Sequence, residues 1–221
     1  MTKIINTFVF LFLFILFLGC DTEQNIKLEQ NIYNNLFEIL IDSTITDYRK
    51  LTVPSLSDFE NAESIEGLNK RIEEKKQQQL SSLIIYVKDT LNNIEEIDFV
   101  YSKIKNQLSN IDYQSIINNS FNESKEFGTI KIESLIVEAS KYELKHDSMK
   151  LKDEKLLKGL EKNRISATYH LSRVYFNKEK MLGIFTLSIV HGRLNAIGVI
   201  VIVKKENNKW VIKKIIENWV S

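Results

Sequence analysis

The last third of the chain, residues 165–221, alternates blocks of apolar β-formers with turn residues and contains no proline. Because proline removes a backbone donor that a sheet ladder needs, its absence leaves the whole stretch able to form strands. Residues 181–190 repeat apolar side chains at period two, and residues 197–203 are almost wholly apolar, which is typical of a strand covered on both faces. This stretch therefore predicts a sheet that other elements must cover.

Turn residues divide this stretch into four predicted strands. We expect the strands at residues 172–176, 181–190, 197–203 and 210–219. The turns between them fall at residues 178–180, at residues 191–195 and at Asn207-Asn208, where asparagine tolerates the positive φ of a tight hairpin. Short turns between neighbouring strands predict an antiparallel β-meander.

The earlier part of the chain has mainly helical patterns. Apolar residues recur at helical spacing over residues 29–42, which predicts an amphipathic helix. The charged stretch at residues 69–79 predicts an exposed helix. Residues 83–87 (LIIYV) form a β-branched apolar run that is typical of a buried strand.

Three segments have weaker patterns. Residues 43–63 contain the only proline, Pro54, and predict a loop; residues 92–150 have a broken helical pattern; and residues 150–164 are polar and predict a connection. Helices that precede a meander predict an α+β fold, with N-terminal helices packed on a C-terminal antiparallel β-meander of about four strands. We expect a single domain over residues 32–221.

The amino terminus has the organisation of a secretory signal peptide. One basic residue, Lys3, precedes an uninterrupted apolar run of eleven residues, Phe8 to Leu18, which is followed by the small residue Gly19. A membrane-spanning helix needs about 20 apolar residues, so the length of the run favours a cleaved signal. We predict a signal peptide at residues 1–19, with an uncleaved signal anchor as the alternative.

The end of the apolar run resembles a lipobox, the site at which bacteria attach a diacylglyceryl group to a cysteine and cleave before it. In Phe17-Leu18-Gly19-Cys20 the last two residues fit the box, whereas its first two positions prefer Leu and then Ala or Ser. The resemblance implies lipidation of Cys20, the only cysteine, with residues 20–31 as a tether to a membrane of the cell envelope. A reactive thiol is the alternative role for Cys20, but no histidine or basic residue near it in sequence would activate it.

Charge and motif content exclude several classes of function. Of the 30 Lys and Arg residues only Lys3 precedes Cys20, which leaves 29 against 29 acidic residues, so the electrostatic footprint of a nucleic-acid binder is absent. A single cysteine excludes disulfide frameworks, redox pairs and multi-cysteine zinc sites. His146, His170 and His191 do not form a spaced metal motif, and phosphate-loop, dinucleotide and nucleophile-elbow motifs are absent. We therefore predict no metal, no cofactor and no catalytic residue.

Two groups of residues in the meander are candidates for binding. Arg173, His191 and Arg193 are placed to line one end of the meander and bind an anion; alternatively, Arg173 pairs with a carboxylate and the other two lie in a turn. Trp210 and Trp219 are able to stack on a sugar, or else they belong to the aromatic core. The sequence leaves both pairs of alternatives open.

Several short motifs near the carboxyl end resemble one group of proteins. They are SRVYFNK at residues 172–178, Gly192-x-Leu194 with Gly198, NKWVI at residues 208–212 and the terminal Trp219-Val220-Ser221. Their order resembles that of uncharacterised lipoproteins of the Bacteroidetes, a group that implies a lipid anchor but no activity. Some of its members have cysteines near residues 191–198, which this chain lacks, so no shared thiol or metal role is implied.

The order of helices first and meander last, with a Lys-Trp-x-Ile strand, is also similar to the cone-shaped folds of the nuclear-transport-factor-two-like and cystatin-like classes. That likeness implies a pocket between sheet and helices. We expect a membrane-tethered envelope lipoprotein, on the periplasmic face or at the cell surface, with a non-catalytic binding or structural function towards an envelope protein or a small ligand. The alternative is an enzyme or small-molecule binder with a pocket in such a cone-shaped fold.

Overall fold

Helices and strands are interspersed along the chain in the computed structural model, which describes residues 24–45, 47, 64–118, 128–157, 164–192 and 195–221. The helices are α1 (residues 24–44), α2 (Ile65–Leu80), α3 (Ile97–Ile104), α4 (Asn110–Ile117) and α5 (Lys150–Leu156), with 3₁₀ turns at Ile132–Ser134 and Asp147–Met149. The strands are β1 (Leu83–Val87), β2 (Thr90–Leu91), β3 (Gly128–Thr129), β4 (Tyr142–His146), β5 (Ile165–Leu171), β6 (Tyr175–Phe176), β7 (Leu182–Gly192), β8 (Asn195–Glu206) and β9 (Lys209–Val220).

The main sheet of the described residues has the strand order β4-β1-β5-β7-β8-β9, with β6 also paired to β7. β1 runs parallel to both of its neighbours, β4 and β5. Its Ile85 lies opposite Leu144 on one side and opposite Ala167 on the other. From β5 to β9 the neighbouring strands are antiparallel. The chain therefore has an α+β fold with a mostly antiparallel sheet.

The predicted hairpin at Asn207-Asn208 is confirmed. Both asparagines have positive φ, 49° and 63°, as the common two-residue hairpin turn requires at its central positions. The ladder starts with Glu206 opposite Lys209 and continues to Ile197 opposite Val220. This turn sets the register of the two longest strands.

β8 is covered on both faces, as its apolar sequence predicts. Val199, Val201 and Val203 belong to one core cluster, and Ile200 and Ile202 belong to a second cluster. Because successive side chains of a strand point to opposite faces, the two clusters lie on opposite faces of the sheet.

Helix α1 covers one of these faces, which we call the α1 face. The ring of Tyr33 meets Phe185 edge to face with centroids 5.2 Å apart, and the ring of Phe37 meets Tyr169 at 5.7 Å. All four side chains are fully buried. The predicted amphipathic helix is confirmed, but it begins at residue 24, so that residues 24–31 of the predicted tether are helical.

The opposite face, which we call the groove face, has a second and smaller apolar cluster. There Val100, Ile104 and Ile116 of α3 and α4 cluster with Ile184, Ile200 and Ile202 of the sheet. Further across the same face Tyr86 of β1 donates a hydrogen bond to Asp153 of α5 at 2.9 Å. His170 and Ser188, also on this face, line an open groove instead.

The first strand of the predicted meander begins earlier than expected and is interrupted. The prediction placed it at residues 172–176, whereas β5 ends at Leu171 and β6 begins at Tyr175. Both segments pair with β7, Leu171 opposite Leu187 and Tyr175 opposite Ile184. They therefore form one edge of the meander with a kink at residues 172–174.

The kink has a physical cause in Ser172. The Ser172 carbonyl accepts a hydrogen bond of 2.5 Å from the Tyr33 hydroxyl of α1. The Ser172 hydroxyl accepts from Thr186 N at 2.8 Å, in place of the ladder bond that a regular strand would make. The contact with α1 is distant in sequence, which is why the local pattern did not predict the kink.

The predicted helix at residues 69–79 is confirmed within α2, and the predicted strand at residues 83–87 is confirmed as β1. Two other segments differ from the prediction. β4 lies within residues 92–150, which were predicted to be mostly helical, and α5 lies within residues 150–164, which were predicted to be a connection. β4 (YELKH) is a half-buried edge strand, so it lacks the run of apolar β-formers that marks a central strand.

The predicted signal peptide at residues 1–19, Cys20 and most of the loop predicted at residues 43–63 lie outside the described residues. Within the described part of the chain, every helix is too short or too polar to cross a bilayer.

Candidate functional site

The groove face changes from apolar to polar along β7. Leu182 and Ile184 belong to the cluster under α3 and α4, whereas Thr186 and Ser188 continue the same face with hydroxyl side chains. His170 of β5 lies directly opposite Ser188. The alternation of β7 thus places a polar area on the groove face.

These side chains form the floor of a groove with a volume of about 370 Å³. Asn92, Asn93 and Glu95, which precede α3, line one side. Residues 218–219, near the end of β9, line the other. A volume of this order fits a small ligand, because ligand pockets typically measure about 300 to 1,000 Å³.

His170 is half-buried in the floor of the groove. Burial lowers the pKa of its imidazole below the ordinary value of 6.5, and the positive charge of Lys88 adds to that shift. At neutral pH the ring is therefore uncharged, with one nitrogen that donates and one that accepts.

Trp219 lies across Gly198, its partner in the ladder between β8 and β9. A Cβ at position 198 would lie 2.1 Å from the indole Nε1 and 2.3 Å from Cε2. Glycine is therefore required at this position, because any side chain would displace the ring. Trp219 is 41% exposed, so its packing over Gly198 places an exposed aromatic ring at the side of the groove.

Asn218 carries a buried oxygen without a partner. Its Oδ1 is covered from solvent and has no hydrogen-bond partner within the described part of the chain. The residue lies where the β8–β9 ladder shifts register, beside Gly198 and Val199. A buried polar atom left unpaired costs about 1–3 kcal/mol.

The kink at residues 172–174 fixes the side of the groove formed by Asn92. The Asn92 carbonyl accepts from Arg173 N at 2.7 Å. The Arg173 side chain extends to the α1 face, where its Nε donates to both carboxylate oxygens of Glu29, each at 2.8 Å. Val174 N donates to the same carboxylate at 2.9 Å. Burial raises the pKa of Glu29, and the hydrogen bond and charge of Arg173 oppose that shift.

This contact decides between the two hypotheses for Arg173. The residue pairs with a carboxylate, and its side chain is not available for the anion site considered from the sequence. His191 directs Nδ1 to the Ser166 carbonyl oxygen at 3.3 Å. Arg193 lies outside the described residues.

The two tryptophans have different surroundings. Trp210 is 5% exposed and packs in the core of the α1 face with its ring centroid 5.9 Å from that of Phe176. Trp219 lines the groove. The core alternative therefore holds for Trp210, and the surface required for stacking exists at Trp219.

The remaining histidine, His146, lies at the surface, away from the groove. Its Nε2 is 3.3 Å from a carboxylate oxygen of Asp89 and its Nδ1 is 3.1 Å from one of Asp147. Across the described ranges, no group of three or more His, Cys, Asp or Glu residues is arranged to hold a metal ion.

Sequence reasoning did not select Thr186, Ser188 or Asn218 as site residues. The available signal for the first two is the replacement of apolar by hydroxyl residues at every second position of β7. Gly198 inside an apolar strand is a signal of close approach by another group. Asn218 has no such signal in the sequence; it lies where the ladder between β8 and β9 shifts register.

Comparisons with models of protein families, with curated proteins and with solved structures give no match. The assignment of function therefore rests on the residues of this chain.

Proposed function

We propose that this chain is a lipid-anchored protein of the bacterial cell envelope whose α+β domain binds a small molecule in the groove. The anchor part of the proposal is supported by the apolar run that ends at Gly19-Cys20 and by the position of Cys20 as the only cysteine. Helix α1 begins at residue 24, so a lipid on Cys20 would hold the domain close to the membrane surface.

The observation that carries the binding part is the combination of an unpaired buried oxygen and an exposed aromatic ring at one groove. Asn218 Oδ1 has no partner among the described residues, and the neighbouring Trp219 is seated on Gly198. Both features cost free energy when the groove is empty, because Asn218 Oδ1 lacks a hydrogen bond and Trp219 exposes apolar area to water. A ligand that stacks on Trp219, and towards which the Asn218 side chain rotates its Oδ1, would offset both costs.

The groove, rather than the space beneath α1, is the place for this ligand. Large side chains of α1 and of the sheet, Phe37, Tyr169 and Phe185 among them, fill the α1 face in the described structure. A pocket between helix and sheet, as the likeness to cone-shaped folds implies, would need that packing to be open. The groove lies on the other face.

Native mass spectrometry of the protein purified from its own membrane tests the binding part. We expect a small non-covalent adduct on the wild-type protein that is absent from Ser188→Phe, because the aromatic ring would fill the groove floor beside His170. Ser102→Phe, on the exposed surface of α3, is the matched control and should keep the adduct. An adduct that both variants retain, or no adduct on the wild type, contradicts the proposal.

An enzymatic function is the second candidate, because His170 lines the groove as an uncharged imidazole, a form able to accept a proton. His170→Gln separates the two functions. If the wild-type protein converts the ligand purified with it, and His170→Gln binds that ligand without converting it, the enzymatic function is supported. Unchanged ligand after incubation with wild-type protein supports binding alone.

A further inference from the structure

We infer that the ligand of the groove is a neutral sugar, with one face of a pyranose ring stacked on Trp219. The inference rests on the proposed function and goes further, because it names the chemical class of the ligand. It follows from the charge, the aromatic surface and the hydrogen-bonding groups of the groove.

The groove offers little charge to a ligand. The residues that line it include two titratable side chains, His170 and Glu95. His170 is uncharged at neutral pH because burial lowers its pKa, and Glu95 is exposed at the rim. Lys150, which lies near His170, donates its Nζ to Thr168 Oγ1 at 2.9 Å. Among the described residues that line the groove there is no lysine or arginine, so an anionic ligand would be buried there without a directly paired cation, which is unfavourable.

The Trp219 side of the groove suits the flat face of a sugar ring. A pyranose has aliphatic C–H groups on its faces and hydroxyl groups at its edge, so it packs against an aromatic ring and still forms hydrogen bonds around its perimeter. Trp219 is 41% exposed, and its support by Gly198 fixes its position. An aromatic side chain held in this way loses little conformational freedom when a ligand binds.

The polar groups of the groove match the edge of such a ring. Hydroxyls of Thr186 and Ser188 and the amides of Asn92 and Asn218 both donate and accept hydrogen bonds, as sugar hydroxyls do. Asn218 Oδ1 is covered from solvent in the described structure, so its side chain would have to rotate before a sugar hydroxyl could donate to it. The volume of about 370 Å³ limits the enclosed part of the ligand to one or two sugar rings.

Fluorine NMR of the full-length protein, labelled with fluorinated tryptophan in a detergent without a sugar headgroup, tests the inference. The chain has 2 tryptophans, and Trp219→Phe assigns their resonances. The probes are methyl β-glucoside and diacetylchitobiose, with sorbitol as an open-chain polyol and phosphate as an anion. We expect a sugar to shift the Trp219 resonance saturably and to leave the Trp210 resonance unchanged.

Variants connect that shift to stacking. Trp219→Leu should weaken sugar binding by about tenfold or more, measured by calorimetry. Trp219→Phe, which retains a flat ring, should keep part of the affinity. Val220→Ala, at the exposed neighbouring residue, should bind as the wild type does. A sugar affinity that Trp219→Leu does not change overturns the inference.

A second titration separates failure of the inference from failure of the proposed function. The probe is a small-molecule extract of the native envelope. If the extract shifts the Trp219 resonance while neither sugar does, the groove binds a small molecule and the sugar assignment is wrong. If neither the extract nor the sugars shift it, both the inference and the proposed binding function are wrong.

Discussion

Glu29 of α1 and Arg173 of the kink between β5 and β6 form a buried ion pair, with Arg173 Nε 2.8 Å from each carboxylate oxygen. Glu29 is 1% exposed and Arg173 is 7% exposed. The same Arg173 donates its backbone N–H to the carbonyl of Asn92 at the side of the groove. The pair therefore joins the first helix, the kinked strand and the groove.

Arg173→Met should destabilise the fold strongly. The change leaves the Glu29 carboxylate buried without its cation, and removing one partner of a buried pair costs about 3–5 kcal/mol. The free energy of unfolding in urea measures the loss. A double variant, Glu29→Met with Arg173→Met, should recover much of the stability, because no charge remains buried. Equal stability of the single variant and the wild type would contradict the role of the pair.

An exposed ion pair supplies the control for that measurement. Lys213 and Glu206 are 3.8 Å apart with both side chains about half exposed. Lys213→Met should change the free energy of unfolding by less than about 1 kcal/mol, since exposed pairs are screened by solvent.

Gly198→Ala should displace the Trp219 ring from its position over residue 198. The added methyl group would lie 2.1 Å from the indole Nε1, so the ring must move. We expect greater quenching of Trp219 fluorescence by acrylamide and a loss of ligand affinity of about tenfold. Gly192→Ala is the matched control, because a Cβ there meets no atom within 4 Å. If the two variants have the same ligand affinity and the same acrylamide quenching, the packing of Trp219 over Gly198 has no role in binding.

Asn218→Leu should separate stability from binding. The substitution removes the unpaired buried oxygen and keeps a side chain of similar size, so the unfolding midpoint should stay the same or rise. Ligand binding should fall, because the amide group that lines the groove is lost. Thermal unfolding and calorimetric titration of the same preparation measure the two effects. A large decrease in stability would show that Asn218 has a structural role instead.

His170 should make stability depend on pH. Burial and the charge of Lys88 lower the pKa of His170 in the fold below 6.5, so the unfolded chain takes up a proton first as pH falls. The contribution of His170 is therefore complete above pH 6.5 and decreases as pH falls towards the folded-state pKa. NMR titration of the His170 ring protons gives that pKa directly.

His170→Gln tests the consequence for stability. The unfolding free energy of this variant should change less than that of the wild type between about pH 7 and pH 5, since the titrating group is absent. Parallel pH profiles for the two proteins would show that His170 does not titrate differently in the fold.

Local patterns predicted the parts of the fold that depend on neighbours in sequence. The Asn207-Asn208 hairpin follows from the tolerance of asparagine for positive φ. The coverage of β8 on both faces follows from its apolar composition. In each case the residues that carry the signal are the residues that form the structure.

The kink and the groove, which local sequence patterns did not predict, depend on contacts between residues that are distant in the sequence. The kink depends on Tyr33, which donates to the carbonyl of Ser172, 139 positions further along the chain. The groove depends on the packing of the Trp219 ring over Gly198 of the neighbouring strand. The sequence offered two roles for each tryptophan, and only the burial of Trp210 and the exposure of Trp219 distinguish them.

The central claim, a lipid anchor on Cys20, is tested most directly by the intact mass of the protein purified from its native membrane. We predict a mass equal to the chain from Cys20 onward plus acyl groups, and no such modified species for Cys20→Ala. An unmodified mass that includes residues 1–19 would contradict the claim and would identify the amino-terminal apolar run as an uncleaved anchor.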